Sequence, residues 1–273
     1  VFEEGLRIPP CLYAATGERS RLVHDFVASN VRVPDKVIGD LEAMASACAV
    51  TGHRLSQLLD EIGAGSFAVV SEEILSRSEA AMREAIRRVP DGVYRASVTT
   101  DGLDQPLSIE IAVSIKADAV EVEYSGTSSQ QPRGINVPRT YAYAHTAYPL
   151  KCLFQPRLPN NAGTFRPVKV TAPDGCLLNP RHPAAVNARH VVGHHLSVAV
   201  CRALHLAIPD RVIAENGTPP VQLLLSGTDD GGRPFAENIV LAGGYAAGAK
   251  RPGSPVLSFP TNITWLPIEI LEA

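Results

Sequence analysis

The stretch VYRASVTTDGLDQPLSIEIAVSIKADAVEVEYS at residues 93–125 decides the fold, because apolar and polar residues alternate along it. A period of two is typical of strands that bury one face. The pattern predicts three strands, at 93–100, 107–116 and 119–125. Asp101-Gly102 and Lys116-Ala117-Asp118 supply short turns between them. We therefore predict a three-stranded antiparallel meander at the centre of the chain.

Two long helices are predicted before this meander, at 34–63 and 66–89. Apolar residues recur in both at the spacing of a single helix face, and Pro34 lies in the first turn, where its missing N–H costs little. The loop between the helices is so short that they are expected to run antiparallel. The boundary at residue 92 separates a helical region, 1–92, from an α+β region, 93–273, unless the two form one continuous domain.

Further elements follow the meander. The pattern predicts helices at 137–154 and 189–206, and strands at 221–226 and 235–241. Helices and strands are thus largely separated along the chain. The predicted fold class is α+β, with antiparallel long helices, an antiparallel meander, and further helices and mixed strands.

Composition excludes some classes of function. The 273 residues carry a net charge of −3, which gives no electrostatic reason to expect nucleic acid or an anionic membrane as partner. The sequence has no apolar run of transmembrane length. Five widely spaced cysteines without a CxxC pair indicate reduced thiols, so we expect a cytoplasmic protein.

The segment 160–189 is rich in Asn, Arg and Pro, which suits a rigid, irregular stretch that positions a ligand, a neighbouring backbone or another subunit. The alternative is a long surface loop in which Asn and Pro serve only as turn formers. Arg side chains offer planar forks for an anionic or phosphorylated intermediate, and glycine permits close backbone approach. The candidate substrate-binding residues here are Asn160, Asn161, Gly163, Arg166, Asn187 and Arg189.

A second candidate region is the polar rim that follows the last strand of the meander. It supplies Ser125, Gly126, Gly134 and Asn136. Small hydroxyl residues and glycines at a strand end suit a rim that faces a ligand, although a polar loop with side-chain turns explains them equally well. We predict that these four residues converge with the candidates of segment 160–189 on one cleft or subunit junction.

Two residues in the run HVVGHH, His190 and His194, are the candidate metal ligands, because positions four apart share a helix face. No Glu follows His190, so the general base of the HExxH zinc motif is absent. The glycine-rich stretch at 243–248 matches neither GxGxxG nor a Walker A sequence. We therefore expect no ATP site in this chain.

Several stretches together resemble one family. They are EEGLRIPP (3–10), NVRVPDKVIGDLEA (30–43), TGHRLSQLLDEIG (51–63), YSGTSSQQPRGIN (124–136), PNNAGTFRPVKVTAPDGCLLNPRHPAAVNAR (159–189) and PTNITWLPIEILEA (260–273). In this order they resemble the hydantoinase B/oxoprolinase family, which includes B subunits of ATP-dependent hydantoinases, 5-oxoprolinases, caprolactamases, and acetone and acetophenone carboxylases.

The resemblance implies part of a B-type subunit in an ATP-dependent hydrolase of cyclic amides such as hydantoins, 5-oxoproline or lactams. A hydantoinase A-like subunit would bind ATP and phosphorylate the small-molecule substrate. Relatives are longer, so a missing N-terminal half is expected to be a further partner and to hold a divalent metal. No cofactor is expected on this chain alone, which is expected to be incomplete as an enzyme.

Three alternatives stay open. The chain could belong to a related ATP-dependent ketone carboxylase, or it could be a non-catalytic assembly module of such a complex. A self-contained metal hydrolase that uses His190 and His194 is the third.

Overall fold

The computed structural model describes residues 5–254, apart from 16, 64–65, 103, 218–220 and 242. Its elements, in chain order, are β1 (Ala14–Ala15), β2 (Glu18–Arg19), α1 (Arg21–Asn30), α2 (Pro34–Glu61), α3 (Phe67–Ile86), β3 (Gly92–Thr100), β4 (Leu107–Lys116), β5 (Ala119–Glu123), α4 (Arg139–Phe154), α5 (Ala162–Phe165), β6 (Val168–Thr171), α6 (Arg189–Gly193), α7 (His195–Leu204), β7 (Val221–Thr228) and β8 (Pro234–Leu241). The predicted α+β class is confirmed.

The central sheet has the strand order β3-β4-β5-β6. Strands β3, β4 and β5 pair antiparallel, with Gly92 opposite Ile115 and Ala112 opposite Glu123. The predicted meander is therefore confirmed. Strand β6 adds a parallel edge to β5 and was not predicted, because its four residues lie inside the Pro-rich segment and are too few to show a period.

One face of this sheet forms the core. In β4 every second residue from Leu107 to Ile115 points inward and is buried, as alternation requires. Helices α4 and α7 pack on this face. Tyr124, at the end of β5, is fully buried, and its hydroxyl lies 2.6 Å from the Thr146 hydroxyl of α4. This bond satisfies a polar group that burial would otherwise penalise.

The chain divides into two compact units, and the division does not fall at residue 92. One unit contains Glu73–Val221 with the central sheet. It includes the last part of α3, because Met82, Ala85 and Ile86 are buried in the same core as the sheet. The other unit combines Gly5–Glu72 with Gln222–Val240.

The second unit contains α1, α2, the short pair β1–β2 and nearly all of the pair β7–β8. The strands predicted at 221–226 and 235–241 are confirmed as β7 and β8. An ion pair of 3.1 Å between Lys36 and Glu237 links α2 to β8. None of the residues of α2 is buried within the described part of the chain.

Helices α2 and α3 confirm the two predicted long helices, each with slightly shorter bounds. Residues 64–65 of their connection lie outside the described residues, and the antiparallel packing of the two helices stays a prediction. The helix predicted at 189–206 is interrupted at His194, which separates α6 from α7. The quoted stretch at 260–273 also lies outside the described residues. Of the helices in the described ranges, none combines the length and apolarity needed to cross a membrane.

Candidate functional site

The first part of the segment 160–189 is fastened to helix α3. Asn161 caps α5, with its Oδ1 accepting from the Thr164 backbone N–H at 3.1 Å. The Nδ2 of Asn161 donates to the Ser78 hydroxyl on α3 at 2.8 Å. The Thr164 hydroxyl donates to the Pro159 carbonyl at 2.8 Å. Both the oxygen and the nitrogen of the Asn161 amide therefore form hydrogen bonds that hold the segment in place.

Gly163 and Arg166 continue this attachment. A Cβ atom on Gly163 would lie 2.0 Å from the Leu75 carbonyl oxygen, so only glycine permits such a close approach of α5 to α3. Arg166 Nη1 lies 3.2 Å from Glu79 Oε2, and Glu79 also pairs with Arg83 at 2.7 Å. Hydrogen bonds from Arg83 and then Arg166 lower the pKa of Glu79, which keeps this carboxylate ionised. Asn160 is exposed beside this attachment.

The second part of the segment lies against the rim that follows the meander. We call the contact of residues 128–137 with residues 175–189 the rim junction. Backbone hydrogen bonds hold it: Leu177 N–H donates to the Ser128 carbonyl at 2.8 Å, and Ala188 N–H donates to the Gly134 carbonyl at 2.8 Å. Gly134 therefore lies beside the backbone between Asn187 and Arg189.

Asn136 is the central polar residue of the rim junction, and its side chain is fully buried. Its Oδ1 accepts from the Gln131 N–H at 2.7 Å. Its Nδ2 lies 2.8 Å from the Gln131 carbonyl, 3.0 Å from that of Arg133 and 2.9 Å from that of Ala185. The geometry gives Asn136 a positioning role, since it ties the rim to residues 175–189.

Arg189 extends from the rim junction over an aromatic ring of α4. Its guanidinium carbon lies 5.6 Å from the centroid of Tyr141, within cation–π range. His145, one turn along α4, stacks on Tyr141 with centroids 4.1 Å apart and planes 11° apart. A Cβ on Gly193 would lie 2.4 Å from Tyr141 Cε1, so glycine is required where α6 meets this ring. The rim junction thus continues into a layer of Arg189, Tyr141 and His145.

Two imidazoles, His145 of this layer and His194 at the break between α6 and α7, have nitrogens without a hydrogen-bond partner among the described residues. These atoms are the buried His145 Nδ1 and His194 Nε2. Burial, and then the charge of His194, lower the pKa of His145 to about 4. Burial also lowers the pKa values of His194 and His190. All three rings are therefore neutral at pH 7, where they offer lone pairs and single N–H donors rather than charge.

The predicted metal candidates do not form a ligand set. His190 lies within α6, whereas His194 is the residue at the break between α6 and α7. Across the described ranges, no three His, Cys, Asp or Glu side chains are grouped as metal ligands would be. The residues present therefore do not fit a divalent metal in this part of the chain.

Ser125 and Gly126 form a third group, on the outer face of the sheet. The Ser125 hydroxyl donates to Glu123. Gly126 adopts φ +92°, a left-handed conformation that favours glycine, and packs on Glu110. A shallow cavity of about 250 Å³ is lined here by Arg95, Glu110, Glu123 and Ser125, among others. Hydrogen bonds from Ser108 and then Ser97 lower the pKa of Glu110.

The predicted candidates thus lie in three places: at α3, at the rim junction and on the outer face of the sheet. Substrate binding by any of them stays a prediction. Sequence reasoning did not single out Tyr141 and His145, although the spacing of four that allows them to stack was visible. Nothing in the sequence indicated that Arg189 would reach this pair, because the contact joins residues 48 positions apart (189 − 141).

Comparison with known proteins decides the family. The model of the family described as hydantoinase B/oxoprolinase matches residues 1–273. The chain belongs to the hydantoinase B/oxoprolinase family. Caprolactamase subunit beta of Pseudomonas jessenii is 33% identical over 223 residues, which cover 80% of this chain and 38% of that protein. Acetophenone carboxylase delta subunit of Aromatoleum aromaticum is 28% identical over 276 residues, which cover 95% of this chain and 40% of that subunit.

A solved structure is also similar. The ATP-dependent caprolactamase from Pseudomonas jessenii matches with a TM-score of 0.85 and 29% identity, over 94% of this chain and 46% of that one. This member of the hydantoinase B/oxoprolinase family therefore spans less than half the length of these relatives. Two of these relatives are named as subunits, so each of them belongs to a larger enzyme.

Proposed function

We propose that this chain is part of the B-type subunit of an ATP-dependent cyclic amide hydrolase in the cytoplasm. It would act on a hydantoin, 5-oxoproline or another lactam that an A-type, ATP-binding subunit has phosphorylated. One observation carries the proposal: the fold matches an ATP-dependent caprolactamase over 94% of this chain. Family membership over residues 1–273 supports it.

The proposed reaction overcomes the low reactivity of an amide carbonyl. The partner transfers the γ-phosphoryl group of ATP to the carbonyl oxygen, and ADP leaves. Water adds to the activated carbon, the ring C–N bond breaks, and the nitrogen takes a proton, which leaves an acyl phosphate. A second water displaces phosphate and gives the carboxylate. No step is assigned to a metal on this chain, because the described residues offer no ligand set.

For this chain we propose a positioning role at the rim junction. Arg189 provides a permanent positive charge beside Tyr141, and such a charge suits a phosphorylated or anionic intermediate. Asn136 and Asn161 hold the two parts of the segment 160–189 in place. His145 and His194 are neutral at pH 7, so Arg189 is the charged group of this layer.

Reconstitution tests this function. The chain is combined with an A-type subunit and an N-terminal B-type segment from a relative, and ADP release is measured with hydantoin, 5-oxoproline or caprolactam. We expect lactam-dependent ADP release that Arg189→Gln reduces at least about tenfold, since a charge-assisted contact contributes about 1.5–3 kcal/mol. Arg181→Gln is the matched control, because Arg181 is an exposed arginine of the same segment that pairs with Asp174.

A ketone carboxylase is the second candidate. The similarity to an acetophenone carboxylase subunit over 95% of this chain favours it. The same complex would then release ADP with an aryl or alkyl ketone and bicarbonate, and not with lactams. If the complex assembles and neither substrate class stimulates ADP release, the chain is an assembly module instead.

A further inference from the structure

An open cavity of about 570 Å³ lies at the carboxyl end of α4, away from the rim junction. The last turn of α4 and the following residues, through Pro156, form one wall, and the end of α3 forms another. Arg211 completes the lining. All of these residues belong to the unit that holds the central sheet. The volume lies within the range of small-molecule sites, roughly 300–1,000 Å³.

The charge around this cavity is predominantly positive. Arg88 and Arg211 both line it, and Glu84 is the carboxylate among the lining residues. Glu84 lies 3.2 Å from Arg87 and 3.3 Å from Arg88, so its negative charge is divided between two guanidiniums. Contacts with Arg87 and then Arg88 lower the pKa of Glu84, which keeps the carboxylate ionised. No carboxylate in the described part of the chain pairs with Arg211.

A buried lysine adds to this positive charge. Lys151 is only 7% exposed, and its ammonium donates at 2.7 Å to the carbonyl of Pro156, a residue that lines the cavity. Buried charges usually have a counter-charge, because desolvation without one is costly. An anion in the cavity would supply a counter-charge near buried Lys151, and the exposed guanidiniums of Arg88 and Arg211 would attract it as well.

Apart from Gln155, the remaining walls are mostly apolar. Ala81 and Ala85 face the cavity from α3, and Leu153 and Phe154 face it from α4. The Cys152 thiol also lines it, and burial raises the pKa of this thiol, so it is neutral at pH 7. A ligand that fits these walls has one anionic end for the two guanidiniums and an apolar body for the rest.

We propose that this cavity is a binding site for a small carboxylate with an aliphatic body, held by the forks of Arg88 and Arg211. A planar carboxylate matches the two parallel N–H groups of a guanidinium better than a single ammonium could. The site goes beyond the proposed function, because it binds its ligand without ATP or a partner subunit. Opening of a cyclic amide yields a carboxylate of this class, so the reaction product is one source of the ligand.

Calorimetry on the 273-residue chain tests the site, with hexanoate as the probe and acetate and inorganic phosphate for comparison. We expect hexanoate to bind more tightly than acetate, since its longer chain covers the apolar walls. Arg88→Gln and Arg211→Gln should each weaken binding about tenfold or more, which corresponds to the loss of one charged hydrogen bond. Glu84→Gln should strengthen binding, because it removes the competing carboxylate.

Arg77→Gln serves as the matched control, since Arg77 is an exposed arginine of α3 that pairs with Glu73. It should leave hexanoate binding within about twofold. Unchanged affinity in Arg211→Gln, weaker binding in Glu84→Gln, or phosphate binding as tightly as hexanoate would each overturn the proposal. The calorimetry uses neither ATP nor a partner subunit. A negative calorimetry result therefore does not bear on the proposed hydrolase function, and a negative turnover result does not bear on this binding site.

Discussion

Replacing Asn136 by Ala removes every hydrogen bond of a side chain that is fully buried at the rim junction. The change leaves the Gln131 N–H and the carbonyls of Gln131, Arg133 and Ala185 without their present partner. Each unsatisfied buried group costs about 1–3 kcal/mol. Because Gln131 and Arg133 lie near solvent, water can replace part of this loss. We therefore expect a decrease of about 3 kcal/mol in the free energy of unfolding, less than the sum.

Urea denaturation, followed by circular dichroism, measures this difference. Asn160→Ala is the matched control, because Asn160 is an exposed asparagine of the neighbouring candidate segment, and surface substitutions change stability by about 0.5 kcal/mol or less. The m-value should stay the same in both variants if the change acts on the folded state. A loss below about 1 kcal/mol in Asn136→Ala, or an equal loss in the control, would refute the positioning role of Asn136.

Two further predictions concern packing and protonation. Gly163→Ala should lower the free energy of unfolding by about 2–4 kcal/mol, because the new Cβ would lie 2.0 Å from the Leu75 carbonyl oxygen. In the same urea denaturation assay, the control Gly232→Ala should lower it by about 1 kcal/mol, because the space around that Cβ is open. The folded pKa of His145 is about 4 against an ordinary value of 6.5, so stability that is present above pH 6.5 is lost as pH falls towards 4. The His145→Phe variant keeps an aromatic ring on Tyr141 but has no imidazole to protonate. Between pH 6.5 and 4 its free energy of unfolding should therefore fall by about 3 kcal/mol less than that of the unchanged chain. Parallel curves of stability against pH would contradict this.

The meander was predictable because its signal is local. Apolar and polar residues alternate with a period of two in the strands between Gly92 and Glu123, as half-buried strands require. The turns between these strands contain glycine or a short polar run. Strand β6 was not predictable, because its pairing with β5 depends on residues about 48 positions apart (168 − 120). The break at His194 gave only a weak local signal, the glycine at 193, since neither proline nor a helix-capping side chain marks it.

The candidate site was only partly predictable for the same reason. Proline, asparagine and arginine marked the segment 160–189 as unusual, but they did not reveal which partner each side chain would choose. Asn161 bonds to Ser78 on α3, whereas Asn136 bonds to Ala185 in the rim junction. Arg189 meets Tyr141, and Arg166 meets Glu79. The residue types predicted that these side chains form hydrogen bonds or ion pairs. Tertiary packing determined which partner each side chain meets.

We propose that this chain is a required part of an ATP-dependent complex that opens cyclic amides. The most direct measurement compares ADP and ring-opened product, quantified together, in reconstituted complexes with and without this chain. We expect both to form in equal amounts when the chain is present, and neither to exceed background when it is left out. Ring opening that continues at the same rate without the chain, or without ATP, would show that the chain has no part in the reaction.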